Sequence, residues 1–138
     1  MHMILKECPK TKRLSVTDRD ICYKTIFENE YIEKLSVKYD RMENNDMSQL
    51  IKILNKKKKP IIKFDLEING VRGKNVPLER MINDLCEHLK VNNNLISLGL
   101  DIKVKNMKIN FDFLRNDRLR KLSIRSVDDE FIKILSVP

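Results

Sequence analysis

The amino-acid sequence predicts a short α/β solenoid, with a parallel sheet on its concave face and helices on its convex face. The first observation is residues 61–71, where Ile61, Phe64, Leu66, Asn69 and Val71 follow the pattern Leu-x-x-Leu-x-Leu-x-x-Asn-x-Leu. The second is that weaker copies of this pattern occur at residues 11–21, 32–42, 95–105 and 119–129. The third is that helix-like segments separate the copies, and strands joined through helices form parallel sheets.

Each copy contains two alternating apolar residues that would anchor one strand in the core. These pairs are Leu14/Val16, Leu35/Val37, Phe64/Leu66, Leu98/Leu100 and Leu122/Ile124. A single unit of this kind cannot bury its apolar face, whereas stacked units bury a continuous core. We therefore expect one domain of about five units over residues 1–138, either as a whole protein or as a fragment of a longer array.

Composition supports a folded chain of this kind. Apolar residues make up 41% of the 138 residues, aromatic residues only 6%, and tryptophan is absent, so the core must be largely aliphatic. The three cysteines, Cys8, Cys22 and Cys86, are an odd number without Cys-x-x-Cys spacing, which disfavours a disulfide framework or a zinc site. With no secretory signal pattern and no apolar run of about 20 residues, we expect an intracellular protein, cytoplasmic or nuclear, that does not enter membranes.

The first two units contain residues that typically mark the ends of helices and strands. Ile4 and Leu5 resemble the end of a helix stopped by Pro9, before a strand at residues 12–17 and a strand at residues 33–39. One or two helical turns are expected between the strands, around Ile26. The next helix is predicted to be capped by Asp46, with Gln49 three residues later, and to bury Met47, Leu50, Ile51 and Leu54.

The lysine run at residues 56–59 ends that helix, ahead of Pro60. It has two interpretations, a solvated helix end or a nuclear-localisation or phosphate-binding cluster. After the central strand and a loop with Gly70 and Gly73, a helix is predicted with Asn75 as its cap and Pro77 in its first turn. Its apolar stripe comprises Leu78, Met81, Ile82, Leu85 and Leu89.

Asparagines at 92–94 end that helix before a strand at residues 96–102. Residues 107–116 are ambiguous, because Ile109, Phe111 and Phe113 alternate as in a strand that would form a hairpin, while a short helix would supply the return segment that a repeat needs. We predict the helix, then a last strand at residues 121–127. A terminal turn capped by Asp128 would cover the open end of the array.

On these residues the chain resembles the leucine-rich-repeat family, in particular its ribonuclease-inhibitor-like and F-box-associated arrays. The junction from Cys8 to Val16 is similar to the Cys-x-x-Leu-x-x-Leu-x-Leu motif of the latter, with Thr11 in place of leucine. Lys103 and Val127 replace the expected asparagine in the last two units. The alternative is an unrelated α/β or α+β domain with several similar strands.

The resemblance implies a binding face, because leucine-rich-repeat proteins generally bind partners with the strand residues that alternate with the anchors. We name three rows of these residues. The amino row is Arg13, Lys34, Lys63, Ser97 and Lys121; the middle row is Ser15, Ser36, Asp65, Gly99 and Ser123; the carboxy row is Thr17, Lys38, Glu67, Asp101 and Arg125. The predicted partner-binding residues are all of these except Thr17, Ser97 and Gly99.

The function predicted from these rows is non-catalytic binding of a protein with acidic patches, since the formal net charge is +8. The alternative is RNA binding by the same basic residues, and a third interpretation is self-association through open sheet edges. No catalytic set, Gly-rich phosphate loop, cofactor, metal site or small-molecule substrate is predicted. Cys86 and His88 are two residues apart on a helix and therefore face different directions.

Overall fold

The computed structural model describes residues 11–73, 75–104, 108–109 and 118–126. Five strands form one parallel sheet in the order β1-β2-β3-β4-β5, and helices separate the first four. In chain order the elements are β1 (Arg13–Thr17), α1 (Tyr23–Glu28), β2 (Lys34–Tyr39), α2 (Asp46–Lys56), β3 (Lys63–Ile68), α3 (Leu78–Leu89), β4 (Ser97–Ile102) and β5 (Lys121–Ser126). The prediction of an α/β protein with a parallel sheet is confirmed.

The starts of the strands are aligned by a repeated backbone contact. The carbonyl oxygen of Lys12 accepts hydrogen bonds from the N–H groups of both Glu33 and Lys34, at 2.8 and 3.0 Å. The carbonyls of Glu33, Ile62 and Ile96 each accept two such bonds from the beginning of the next strand. Neighbouring strands therefore start at the same level although the connections between them differ in length.

One face of the sheet is buried and the other is open. The anchor residues of β1–β4 are all buried, and the last anchors, Leu122 and Ile124, are partly buried against the same core. Consecutive parallel neighbours joined by right-handed crossovers have all their connections on one side of the sheet. The helices cover that side, and α2 packs against both α1 and α3.

The apolar stripes of the two longer helices are buried as predicted. Helix α2 buries Met47, Leu50, Ile51 and Leu54, together with Ile53, and α3 buries its five predicted residues and Cys86. Both predicted caps are wrong. Asn45 precedes α2, and the Asp46 carboxylate accepts hydrogen bonds from the Tyr23 hydroxyl and the Glu43 N–H instead. Helix α3 begins after Pro77, which places Asn75 outside it.

Asparagine side chains form the turns that lead into two of the strands. Asn29 Oδ1 accepts hydrogen bonds from the N–H groups of Tyr31 and Ile32, and Asn92 Oδ1 accepts them from Asn94 and Leu95. Such a side chain replaces a backbone partner in a tight turn. In the loop after β3, Gly73 adopts a left-handed φ of 91°, a conformation that glycine takes without steric cost.

Three predicted features lie wholly or largely outside the described residues. The helix end predicted at Ile4 and Leu5, ahead of Pro9, precedes residue 11, where the description begins. Of the ambiguous segment 107–116, only residues 108 and 109 are described, and Ile109 is buried. The terminal turn after residue 127 is not among them. No helix in the described part of the chain is long and apolar enough to cross a membrane.

Candidate functional site

The open face of the sheet brings the predicted rows together in the predicted register. Lys34 pairs with Arg13 on one side and Lys63 on the other, and the amino row continues through Ser97 to Lys121. The middle and carboxy rows are aligned in the same way. None of the twelve predicted partner-binding residues is buried. All twelve therefore share one accessible face, although the sequence left the register to be inferred from the anchor spacing.

The amino row is a line of positive charge at the beginning of the strands. Arg13, Lys34 and Lys63 occupy three adjacent strands, and Lys121 lies two strands further on. Within the described residues none of these four cations forms an ion pair. Neighbouring strands are about 4.8 Å apart. The row thus presents three unneutralised cations at short, regular intervals.

The side chains of the middle row project only a short way above the sheet, because the row consists of three serines, one glycine and Asp65. A Cβ atom on Gly99 would clash with Oδ1 of Asp65, so the absence of a side chain at Gly99 leaves room for that carboxylate. Asp65 has no hydrogen bond or ion pair to another described residue. It lies at the centre of a groove of about 510 Å³ that is lined by residues of all five strands. The groove therefore combines small side chains with a central Asp65 carboxylate that has no partner among the described residues.

The carboxy row is largely neutralised internally. Glu67 Oε2 lies 3.6 Å from Nζ of Lys38 and 3.8 Å from Nζ of Lys103. Both pairs are partly solvent-exposed, and such pairs contribute only about 0–1 kcal/mol to stability. Asp101 and Arg125 are register neighbours on the last two strands. The open face is consequently basic along its amino row and close to neutral along its carboxy row.

The lysine run at residues 56–59 is divided by burial, since Lys56 and Lys58 are exposed, as a solvated helix end would be, and Lys57 is not. Lys57 is buried, and its Nζ donates hydrogen bonds to the carbonyl oxygens of Asn29 and Lys59. Burial lowers the pKa of Lys57 below its ordinary value. Lys59 is paired with Glu33 at 3.1 Å. Both interpretations of the run are wrong for Lys57, which joins the ends of two helices.

Cys86 and His88 do not form a reactive pair. Burial raises the pKa of the Cys86 thiol to about 12, whereas Nδ1 of the half-exposed His88 lies 2.9 Å from the carbonyl oxygen of Asp84. Cys22 is half-buried, and its Sγ lies 3.0 Å from Oγ1 of Thr25. No three His, Cys, Asp or Glu side chains within the described ranges are placed to hold a metal ion.

A polar ladder at the carboxyl ends of the strands was only partly predicted. The repeat pattern singles out Asn69, and its Nδ2 donates a hydrogen bond to Oδ1 of Asp40 at 3.0 Å. Oδ2 of Asp18 accepts hydrogen bonds from the backbone N–H groups of Asp40 and Arg41, at 3.1 and 3.0 Å. The sequence pattern did not indicate Asp18, because it is one position earlier in its unit than Asp40. This ladder stabilises the strand ends.

No protein-family model matches the chain, and no curated protein matches it.

Proposed function

We propose that the protein is a non-catalytic interaction module, a short leucine-rich-repeat-like solenoid that binds a protein partner on the open face of its sheet. One observation carries this proposal. Parallel sheets are normally covered on both faces, yet here the face opposite the helices exposes three aligned rows of polar residues across five strands. A parallel sheet with one uncovered face is the arrangement that solenoid proteins use for recognition.

The charges of the open face favour a protein partner with acidic patches. The four cations of the amino row attract carboxylates, and the low middle row allows a partner to approach the strands closely. A nucleic acid would fit less well, since Asp65, Glu67 and Asp101 would repel a phosphate backbone that followed the groove. The face contains neither histidine nor cysteine, and the proposal assigns it no catalysis, metal or cofactor. We place the module inside the cell, alone or within a longer array.

Site-specific photo-crosslinking tests where the partner binds. A crosslinking amino acid at Ser36, in the middle row, is compared with the same amino acid at Ser48, on the exposed side of α2. We expect a discrete protein adduct from Ser36 that survives nuclease treatment of the lysate and is absent from Ser48. Equal adducts at both positions would overturn the proposal. Adducts at Ser36 that disappear with nuclease would favour the RNA alternative.

Charge reversal provides an independent test of the same face. In one variant Lys34, Lys63 and Lys121 are changed to Glu; in the control variant the exposed Lys24, Lys56 and Lys58 are changed to Glu, which alters the net charge equally. We expect the first variant to lose the Ser36 adduct and the control to retain it, with both variants folded by circular dichroism. Retention of the adduct in both variants would remove the amino row from the proposed interface.

A further inference from the structure

The spacing of the amino row distinguishes between the shapes that a partner segment can have. Arg13, Lys34 and Lys63 lie on consecutive strands, and strand separation places them at steps of about 4.8 Å, or roughly 0, 4.8 and 9.6 Å across the sheet. A segment that neutralises all three must cross the strands and present carboxylates at matching intervals. The interval is set by the sheet and is shorter than the side-chain repeat of an extended chain.

An α-helix matches this interval better than an extended chain does. Residues i, i+3 and i+7 of a helix share one face, and their positions along the axis are about 0, 4.5 and 10.5 Å. In an extended chain the residues on one side are i, i+2 and i+4, at about 0, 6.6 and 13.2 Å. At the third strand, the side chain of a helix would be displaced from the cation by about 1 Å, and that of an extended chain by nearly 4 Å.

Asp65 adds a second, oppositely charged contact point. It is on the same strand as Lys63, two residues further along, and therefore faces the same side about 6.6 Å away. Gly99 leaves the carboxylate room on the neighbouring strand, and no described residue neutralises it. A helix lying across the strands would place the residue before or after its last carboxylate near Asp65. A lysine or arginine there would complete the charge match.

We infer that the open face receives an acidic α-helix of a partner protein that crosses the strands. Carboxylates at i, i+3 and i+7 lie over Arg13, Lys34 and Lys63, and a basic residue next to the last carboxylate lies over Asp65. The low serines of the middle row, Ser15 and Ser36, allow the helix to approach the sheet beside the cations. This inference rests on the proposed function and specifies the partner's secondary structure and charge pattern.

Synthetic peptides test the charge pattern directly. Alanine-based peptides of about 20 residues, long enough to be helical, carry Glu at i, i+3 and i+7 with Lys at i+8 or at i+6, the two positions that flank the last carboxylate. One control has the same composition with its glutamates distributed around the helix. A second control has the same charges with proline in the middle, which breaks the helix. Binding to the whole protein is measured by fluorescence anisotropy at low ionic strength.

We expect one of the two patterned peptides to bind about tenfold more tightly than the control with distributed glutamates. Lys63→Glu should abolish that advantage, and a peptide with Lys at i+7 should restore binding to this variant. Asp65→Ser should remove the preference for a basic residue beside the last carboxylate. Equal binding of patterned and distributed peptides, absence of binding, or equal binding of the proline peptide would each overturn the inference.

The outcomes separate this inference from the proposed function. If the Ser36 crosslink to a protein persists while the peptides show no preference, the interaction module stands and the acidic helix is wrong. If the Ser36 crosslink also fails, both are wrong. A single-stranded homopolymeric RNA serves as the third ligand. Tighter binding of this RNA than of any peptide, with a steep salt dependence and no effect of Asp65→Ser, would replace the helix by a nucleic acid.

Discussion

The hydroxyl oxygens of Tyr23 and Tyr39 lie 2.6 Å apart beneath the sheet, and Tyr23 donates its own proton to Oδ1 of Asp46 at 2.7 Å. The Tyr39 hydroxyl must therefore donate to Tyr23, which gives a chain of hydrogen bonds from β2 through α1 to the first residue of α2. Tyr39 is fully buried. Burial is the main cause that raises the pKa of both tyrosines, and the Asp46 carboxylate raises it further.

The first prediction concerns alkaline stability. Both tyrosines have folded-state pKa values above the unfolded value of 10.0, so the stability they provide is fully present below pH 10 and is lost as pH rises further. The free energy of unfolding should fall progressively as pH rises above 10. Tyr39→Phe should reduce this fall and cost about 1 kcal/mol at neutral pH. Denaturant unfolding at a series of pH values measures both effects.

Tyr31→Phe is the matched control, because Tyr31 is 38% exposed and lies outside this chain of hydrogen bonds. It should leave the pH dependence unchanged. The same alkaline fall in wild type and Tyr39→Phe would show that Tyr39 does not contribute to the pH dependence.

The second prediction concerns the turn before β4. Asn92 is buried and uses its whole amide: Nδ2 donates to the Leu54 carbonyl and Asn55 Oδ1, and Oδ1 accepts two backbone N–H groups. Asn92→Ala should lower the free energy of unfolding by about 2–3 kcal/mol, since it leaves buried groups unpaired. The exposed Asn93→Ala should change it by less than about 0.5 kcal/mol. Thermal unfolding compares the two, and similar melting temperatures would contradict the assigned role.

The third prediction separates neighbouring lysines within the run at residues 56–59. Lys57→Ala removes the donor to the Asn29 and Lys59 carbonyls and should destabilise the protein by about 1–3 kcal/mol. Lys58→Ala, at an exposed position, should cost less than about 0.5 kcal/mol. Urea unfolding of both variants provides the measurement. A larger loss of unfolding free energy in Lys58→Ala than in Lys57→Ala would contradict the stabilising role assigned to the buried Lys57.

The fourth prediction concerns thiol reactivity. A hydrogen bond with Thr25 lowers the pKa of Cys22 and favours its thiolate, whereas burial holds the pKa of Cys86 at about 12 and keeps it protonated. In a Cys8→Ser background, a maleimide at neutral pH should modify Cys22 in the native protein. Cys86 should react only after denaturant is added. Mass spectrometry of the labelled peptides measures this order, and native labelling of Cys86 would contradict its burial.

Features that repeat locally could be predicted from the sequence. The alternation of Phe64 and Leu66 with polar neighbours, together with its weaker copies, was sufficient to place five strands and their register. The helical stripes of α2 and α3 were predicted for the same reason, since a period of 3.6 residues is visible within one segment. The rows of the open face followed once the anchors were aligned.

Contacts between distant segments could not be predicted from these patterns. Asp46 has the sequence context of a helix cap, but the Tyr23 hydroxyl, 23 residues earlier, binds its carboxylate. The sequence around Lys57 is typical of surface lysines. Its hydrogen bond to the Asn29 carbonyl is evident only once α1 is packed beside α2. The fit of Asp65 over Gly99 likewise depends on two strands that are 34 residues apart in the chain.

The backbone carbonyls of Lys12, Glu33, Ile62 and Ile96 each accept two hydrogen bonds from the next strand. Because these bonds align the strand starts, the geometry of the open face does not depend on the length of a unit. Consecutive anchors are 21, 29, 34 and 24 residues apart, yet every strand starts at the same level. In the three connections between β1 and β4, the differences in length fall on the helical side, where they displace no member of the three rows. The segments that join these strands can therefore diverge in length and sequence while the open face keeps its spacing.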